Sequence, residues 1–205
     1  YVSVEDASSL DQTQVTIELW VKLENDGPYH HIVNKGGPSS AYYGLFISRN
    51  NSQLIFRMYV NGGYRDVVVP ISITFDEFQH IAMTADGQTI KFYLDGIFIG
   101  QGAQPAPLEV NTGPLTFGTD LHGTFFNGII DEVGIYGRAL SAIEIKAIYD
   151  AGSLGKCGPP RILTELLPNA PPGQPYNQSL QAKISFDPAT WAVASGLLPD
   201  GLSLE

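Results

Sequence analysis

The sequence predicts an all-β, antiparallel fold closed by one short helix, and three observations carry that expectation. Apolar residues recur at period two through Val15 to Leu23 and again through Ile129 to Ile135, the spacing of a strand with one buried face. Asn61-Gly62, Asp86-Gly87 and Asp95-Gly96 fall between such runs, and these pairs make hairpin turns because both residues tolerate positive φ. The composition is low in charge, at 16%, and rich in Gly, Tyr and Phe, which suits a β-rich surface module. At 205 residues the chain holds one large β domain, or one domain and part of another.

Tyr1 to Leu10 reads as a strand and a turn. Val15 to Leu23 is the strongest early strand, with Val15, Ile17, Leu19, Val21 and Leu23 on one face and Thr16, Glu18, Trp20 and Lys22 on the other. Trp20 is read as packed rather than ligand-facing. His30 and His31 begin the next strand-like run, and as neighbours on a strand they face opposite ways. No third His or Cys stands at metal-ligand spacing beside them. Tyr42 to Ser48 and Gln53 to Val60 follow as two strands. In the second, Leu54, Phe56, Met58 and Val60 make an apolar face, and Ile55, Arg57 and Tyr59 the other. The Asn61-Gly62 turn places Tyr64 to Val69 antiparallel beside it, and Pro70 ends that strand. Phe78 to Gly100 holds further strands joined by the two Asp-Gly turns, residues 105–114 a Pro/Gly-broken connection, and Leu115 to Gly118 a short strand.

The run from Phe126 to Gly152 is the most informative. Its strand part sets Ile130, Glu132 and Gly134 against Ile129, Asp131, Val133 and Ile135. Ser141 then reads as an N-cap with Glu144 three residues on, a capping box. Ile145, Ile148 and Tyr149 supply the buried stripe, and Gly152 the stop. Phe126, Gly128, Ile130, Asp131, Glu132, Val133, Ile135, Tyr136, Arg138, Ala139, Leu140, Ser141, Glu144 and Ile145 together resemble the closing strand and helix of the laminin-G-like, concanavalin A-like domains of large secreted bacterial proteins. Ile32 to Gly36 resembles the I-V-S-K-G run of that family. His80, Ala82, Asp86, Gly87, Tyr93, Asp95 and Gly96 resemble its second signature, with Phe78 where the family has tryptophan. The resemblance covers residues 1–152 and implies a two-sheet antiparallel jelly-roll β-sandwich. It also implies that the family's first strand ends in an Asp directly before Tyr1.

Residues 153–161 shift to Gly, Lys, Cys and Pro and read as a linker. The lone Cys157 has no second cysteine to pair with and no neighbour that would lower its pKa. In residues 162–205, Gly173, Pro175, Tyr176, Leu180, Trp191, Val193, Leu198, Pro199, Gly201, Leu202 and Leu204 resemble the first part of an immunoglobulin-like module of bacterial surface proteins. The closing part of that pattern is absent, so a truncated module is expected.

A net charge of −10 disfavours nucleic acid and anionic membranes as partners, and no apolar run approaches the length of a membrane span. A retaining glycosidase needs two carboxylates about 5–5.5 Å apart, which on a strand means acidic residues sharing a face. Asp131-Glu132, Glu5-Asp6 and Asp76-Glu77 are neighbours that face opposite ways, and no nucleophile, zinc or phosphate motif is present, so no catalysis is expected. Asp131 carries two readings. The resemblance implies a calcium ion bridging the first and closing strands with Asp131 as one ligand; the other reading is a backbone hydrogen bond at the sheet edge. For a ligand, Arg57, Tyr59, Tyr64 and Arg65 with Tyr42 and Tyr43 nearby form a candidate patch on a concave face, since sugars need aromatic platforms and planar polar groups. Scattered Tyr and Arg are also ordinary on an exposed β face. The resemblance implies a non-catalytic, extracellular module that binds glycan or a cell-surface protein, linked to further domains. The alternatives are a structural spacer or stalk and an accessory domain of a hydrolase.

Overall fold

The computed structural model describes residues 1–25, 27–36, 43–50, 52–120, 123–152, 161–162 and 182–183. The chain divides into two compact units, residues 1–152 and 153–205. In the second, the described residues are one antiparallel pair, Arg161–Ile162 with Ala182–Lys183. The residues that carry the immunoglobulin-like resemblance, and Cys157, lie outside the described residues.

The first unit is a two-sheet antiparallel sandwich. Its strands are β1 (Val2–Val4), β2 (Val15–Leu23), β3 (Tyr29–Lys35), β4 (Tyr43–Ser48), β5 (Gln53–Val60), β6 (Gly63–Pro70), β7 (Phe78–Ala85), β8 (Thr89–Leu94), β9 (Ile97–Ala103), β10 (Leu115–Phe117) and β11 (Gly128–Tyr136), followed by the helix α1 (Ala142–Ala151). One sheet has six strands in the order β1-β10-β3-β4-β5-β6, and the other five in the order β11-β2-β7-β8-β9. No helix among the described residues is long and apolar enough to cross a membrane.

The period-two alternation builds the core as expected. Val15, Ile17, Leu19, Val21 and Leu23 of β2 are fully buried and meet Leu54, Phe56, Met58 and Val60 of β5 in the same core. Burying each such side chain contributes about 1.5–3 kcal/mol. Asn61 and Gly62 both take positive φ, 52° and 76°, so the β5–β6 turn has the geometry its sequence predicts. Pro70 is tolerated because β6 is an edge strand. The two sheets close on each other where β9 approaches β6: a Cβ on Gly102 would lie 2.5 Å from Cγ1 of Val67, and glycine permits that approach.

The closing strand departs from simple alternation. β11 carries a bulge between Asp131 and Gly134, with Glu132 at φ 50°. The extra residue breaks the period, so Ile130 and Ile135 both pack on the core, while Glu132 and Val133 are left outside. The faces read from the sequence therefore hold only up to Asp131. Gly128, at φ 141°, is required where it stands, because a Cβ there would meet the Lys22 carbonyl oxygen at 2.1 Å.

Helix α1 follows its sequence signals. The Ser141 side chain accepts from the Glu144 N–H, the Glu144 carboxylate accepts from the Ser141 N–H, and Gly152 caps the C-terminus. Its apolar stripe covers the outer face of the five-stranded sheet, where Leu140 and Ile145 pack with Ala82 and Tyr93.

Candidate ligand face on the six-stranded sheet

The β5–β6 hairpin fixes the centre of this face. Its two-residue turn pairs Tyr59 with Tyr64 and Arg57 with Asp66, so all four side chains stand on the outer side of the sheet. Arg57 grips Asp66 with two parallel bonds, Nε to Oδ1 at 2.7 Å and Nη2 to Oδ2 at 2.7 Å. Gly44 lies directly across from Arg57 on β4, and with no side chain there the guanidinium extends over the Phe46 ring, 5.2 Å from its centroid. The Tyr64 ring centroid lies 5.8 Å from the same guanidinium. Tyr59 meets Tyr64 edge-on at 5.1 Å. Phe46 itself is only 4% exposed, whereas Tyr64 is 49% exposed. Phe46 is thus the floor, and Tyr64 the open aromatic surface.

The face continues onto β3. His31 pairs with Phe46 in register and stacks on it, at 5.0 Å between centroids and 20° between planes. Its Nε2 lies 3.8 Å from a carboxylate oxygen of Asp120. His30 turns the other way, is buried, and meets Phe126 edge-on, so the two histidines part as adjacent strand residues must.

The structure sorts the sequence-predicted residues. Arg57, Tyr59 and Tyr64 come together. Tyr43 does not: it is 4% exposed, pairs with inward-facing Met58 and packs on Phe56 in the core. Burial, helped by the Asp11 charge, raises its hydroxyl pKa to about 12. Arg65 also leaves the patch, because it shares register with Met58 and faces the side opposite Arg57. Tyr42 lies outside the described residues. Asp66, Phe46 and Asp120 were not singled out from the sequence, and His31 was weighed there only as half of a His-His pair. A signal for Asp66 existed, since a two-residue turn at Asn61-Gly62 sets it opposite Arg57.

Two other polar clusters are closed. Beneath α1, Glu18 lies 3.2 Å from His80 Nε2 and accepts from the Tyr136 hydroxyl at 3.3 Å. Burial, then the Glu18 charge, pushes Tyr136 up to about 12. Glu18 and His80 are both fully buried, so no substrate reaches this carboxylate–imidazole pair. Trp20 stacks on Tyr149 at 5.6 Å and lies against His80, the packed role expected of it. At the sandwich edge, Lys35 is buried and holds Asp6, Asn111 and Gly113.

Asp131 stands at the bulge of β11. Its Oδ1 accepts from the Glu132 N–H at 2.8 Å, at the bulge, and no cluster of three or more His, Cys, Asp or Glu side chains suited to a metal occurs among the described residues. Calcium takes six to eight oxygens, of which Asp131 would supply a carboxylate. A cavity of about 250 Å³ lies at one end of the sandwich, away from the aromatic face. Leu23, Ile47, Ile71, Ile73 and Phe75 line it, with Arg49 and Ser52. We place the candidate site on the face instead, because polar and aromatic groups converge there.

Comparison with solved structures yields relatives of the same fold. Domain 4 of AbnA, a GH43 extracellular arabinanase from Geobacillus stearothermophilus, solved with arabinotriose, matches with TM-score 0.59 at 20% identity over 67% of this chain. The chain spans 66% of that structure, just under two thirds. The Ruminococcus gnavus IT-sialidase CBM40 bound to α2,3 sialyllactose matches with TM-score 0.57 at 17% identity, covering 73% of this chain and 97% of that one. A heptameric SAP-like pentraxin from Limulus polyphemus matches with TM-score 0.52 at 14% identity, covering 69% and 71%. No curated protein sequence matches the chain. A family model matches residues 1–146, and by that match the chain belongs to the concanavalin A-like lectin/glucanases superfamily.

Proposed function

We propose that residues 1–152 form a non-catalytic carbohydrate-binding module acting outside the cell, with its site on the outer face of the six-stranded sheet. The observation that carries this reading is the Arg57–Asp66 fork beside the exposed Tyr64 ring. Tyr64, backed by Tyr59, offers a surface for the apolar face of a sugar ring. The fork offers N–H donors and carboxylate acceptors side by side, which suits the paired hydroxyls of a pyranose or furanose. His31 and Asp120 extend the polar rim. The carboxylates of this face lie against a guanidinium and an imidazole. Two same-fold structures solved with bound oligosaccharides support the reading. Calcium would enter it only through Asp131. An immunoglobulin-like continuation in residues 162–205 would make the module one link of a longer surface protein.

The test is a glycan array probed with the chain and with Tyr64→Ala and Arg57→Ala. Tyr64 is half exposed, so its variant folds with little change in melting temperature while losing glycan capture. A dose-dependent hit on a chemically related set, weakened in both variants, is the expected result. A blank array from a folded sample would sink the reading and leave the module as a spacer.

A further inference from the structure

We propose that this face selects neutral oligosaccharides and rejects acidic ones, and that Asp66 is the residue that sets this choice; the inference rests on the carbohydrate reading above. An acidic sugar, whether sialic acid, uronate or sulfate ester, is held by a guanidinium with free N–H groups and an unspent charge. Arg57 lacks the unspent charge. Its Nε and Nη2 are both given to Asp66 at 2.7 Å, and its charge is balanced by that carboxylate at the same place. The Phe46 and Tyr64 rings both lie close to Arg57. The guanidinium is thus already paired, and an approaching carboxylate would have to share its charge with Asp66.

The remaining charges on and beside the face do not offset this. Asp120 adds a second carboxylate next to His31, and Glu109 holds the Asn61 N–H at the hairpin turn, at 3.1 Å. Arg65, the cation of β6, faces away. The whole chain is at −10, so the wider field also repels an anion. A neutral diol meets no such barrier, since one hydroxyl can donate to Asp66 while its neighbour accepts from Arg57. Asp66 therefore both presents an acceptor and cancels the cation that an acidic glycan would seek.

The experiment is an array carrying neutral, sialylated, uronate-bearing and sulfated glycans, probed with the chain, with Asp66→Asn and with Asp66→Ser. The unmodified chain is expected to bind neutral glycans only. Both variants release the Arg57 charge, and each is expected to gain acidic hits at least about tenfold above the unmodified chain. Asp66 is exposed on an edge strand, and agreement between two substitutions of different size separates the charge effect from a folding defect. Acidic hits by the unmodified chain would overturn the inference and leave the carbohydrate reading standing. Neutral binding without any acidic gain in folded variants would overturn it too. A blank array for the unmodified chain would remove both.

Discussion

Replacing Lys35 by methionine tests whether a buried ammonium, rather than a bound ion, ties the edge of this sandwich together. Lys35 is 1% exposed and sits on β3. Its Nζ reaches Asp6 Oδ1 at 2.7 Å, the Gly113 carbonyl at 2.8 Å, and the Asn111 carbonyl and Oδ1 at 3.0 and 3.2 Å. Three N–H donors thus satisfy four oxygens drawn from the N-terminal segment and the 105–114 connection, two stretches with little regular structure of their own. Methionine keeps the length and apolar stem but removes every donor. Breaking a buried ion pair from one side costs about 3–5 kcal/mol. Asp6 is 29% exposed and regains some water, which sets the expectation at the lower end, about 3 kcal/mol. With a urea m-value of about 1–3 kcal/mol per molar, the unfolding midpoint falls by about 1 M or more. Adding Asp6→Asn to Lys35→Met removes the stranded carboxylate, so the double variant is expected to be more stable than the sum of the two single losses allows. A loss under about 0.5 kcal/mol for Lys35→Met, or strict additivity with Asp6→Asn, would refute the reasoning.

Two further outcomes are expected. Glu144 is held down to about 2 by the Arg138 guanidinium first and the Ser141 N–H second, so its charged form favours the folded state. That contribution is complete above the ordinary carboxylate range near pH 4.5 and disappears as pH falls through about 2. The side chain is 41% exposed, so Glu144→Gln should cost only about 0.5–1 kcal/mol at pH 7, and the gap from the unmodified protein should close between pH 4.5 and pH 2 in denaturant titrations. At Asp131, a calcium-ligand role predicts a higher melting temperature with calcium than with chelator, and loss of that increment in Asp131→Ala. Where Asp131 serves only the Glu132 N–H, the two melting temperatures coincide.

Local signals in this sequence determined local structure. Apolar alternation set the inward face of β2 and β5, Asn61-Gly62 set the β5–β6 hairpin, and Ser141 with Glu144 set the start of α1. Each depends on neighbours within a few residues, so each is legible without knowing the fold. The match over residues 1–146 placed these pieces in a superfamily, and with it came the sandwich. Tertiary structure decided what no short window contains. Tyr43 reads as a surface aromatic until its register with Met58 sends it inward. Glu18 and Trp20 lie on the polar side of β2, yet α1 arrives more than a hundred residues later and packs Tyr149 on Trp20. The β11 bulge turns Ile135 to the core against the count from Ile130. Phe46 and His31 joined the candidate face only because β3, β4 and β5 pair side by side. Pairing between distant strands is a property of the whole chain, since a one-residue shift in register exchanges the two faces of a strand.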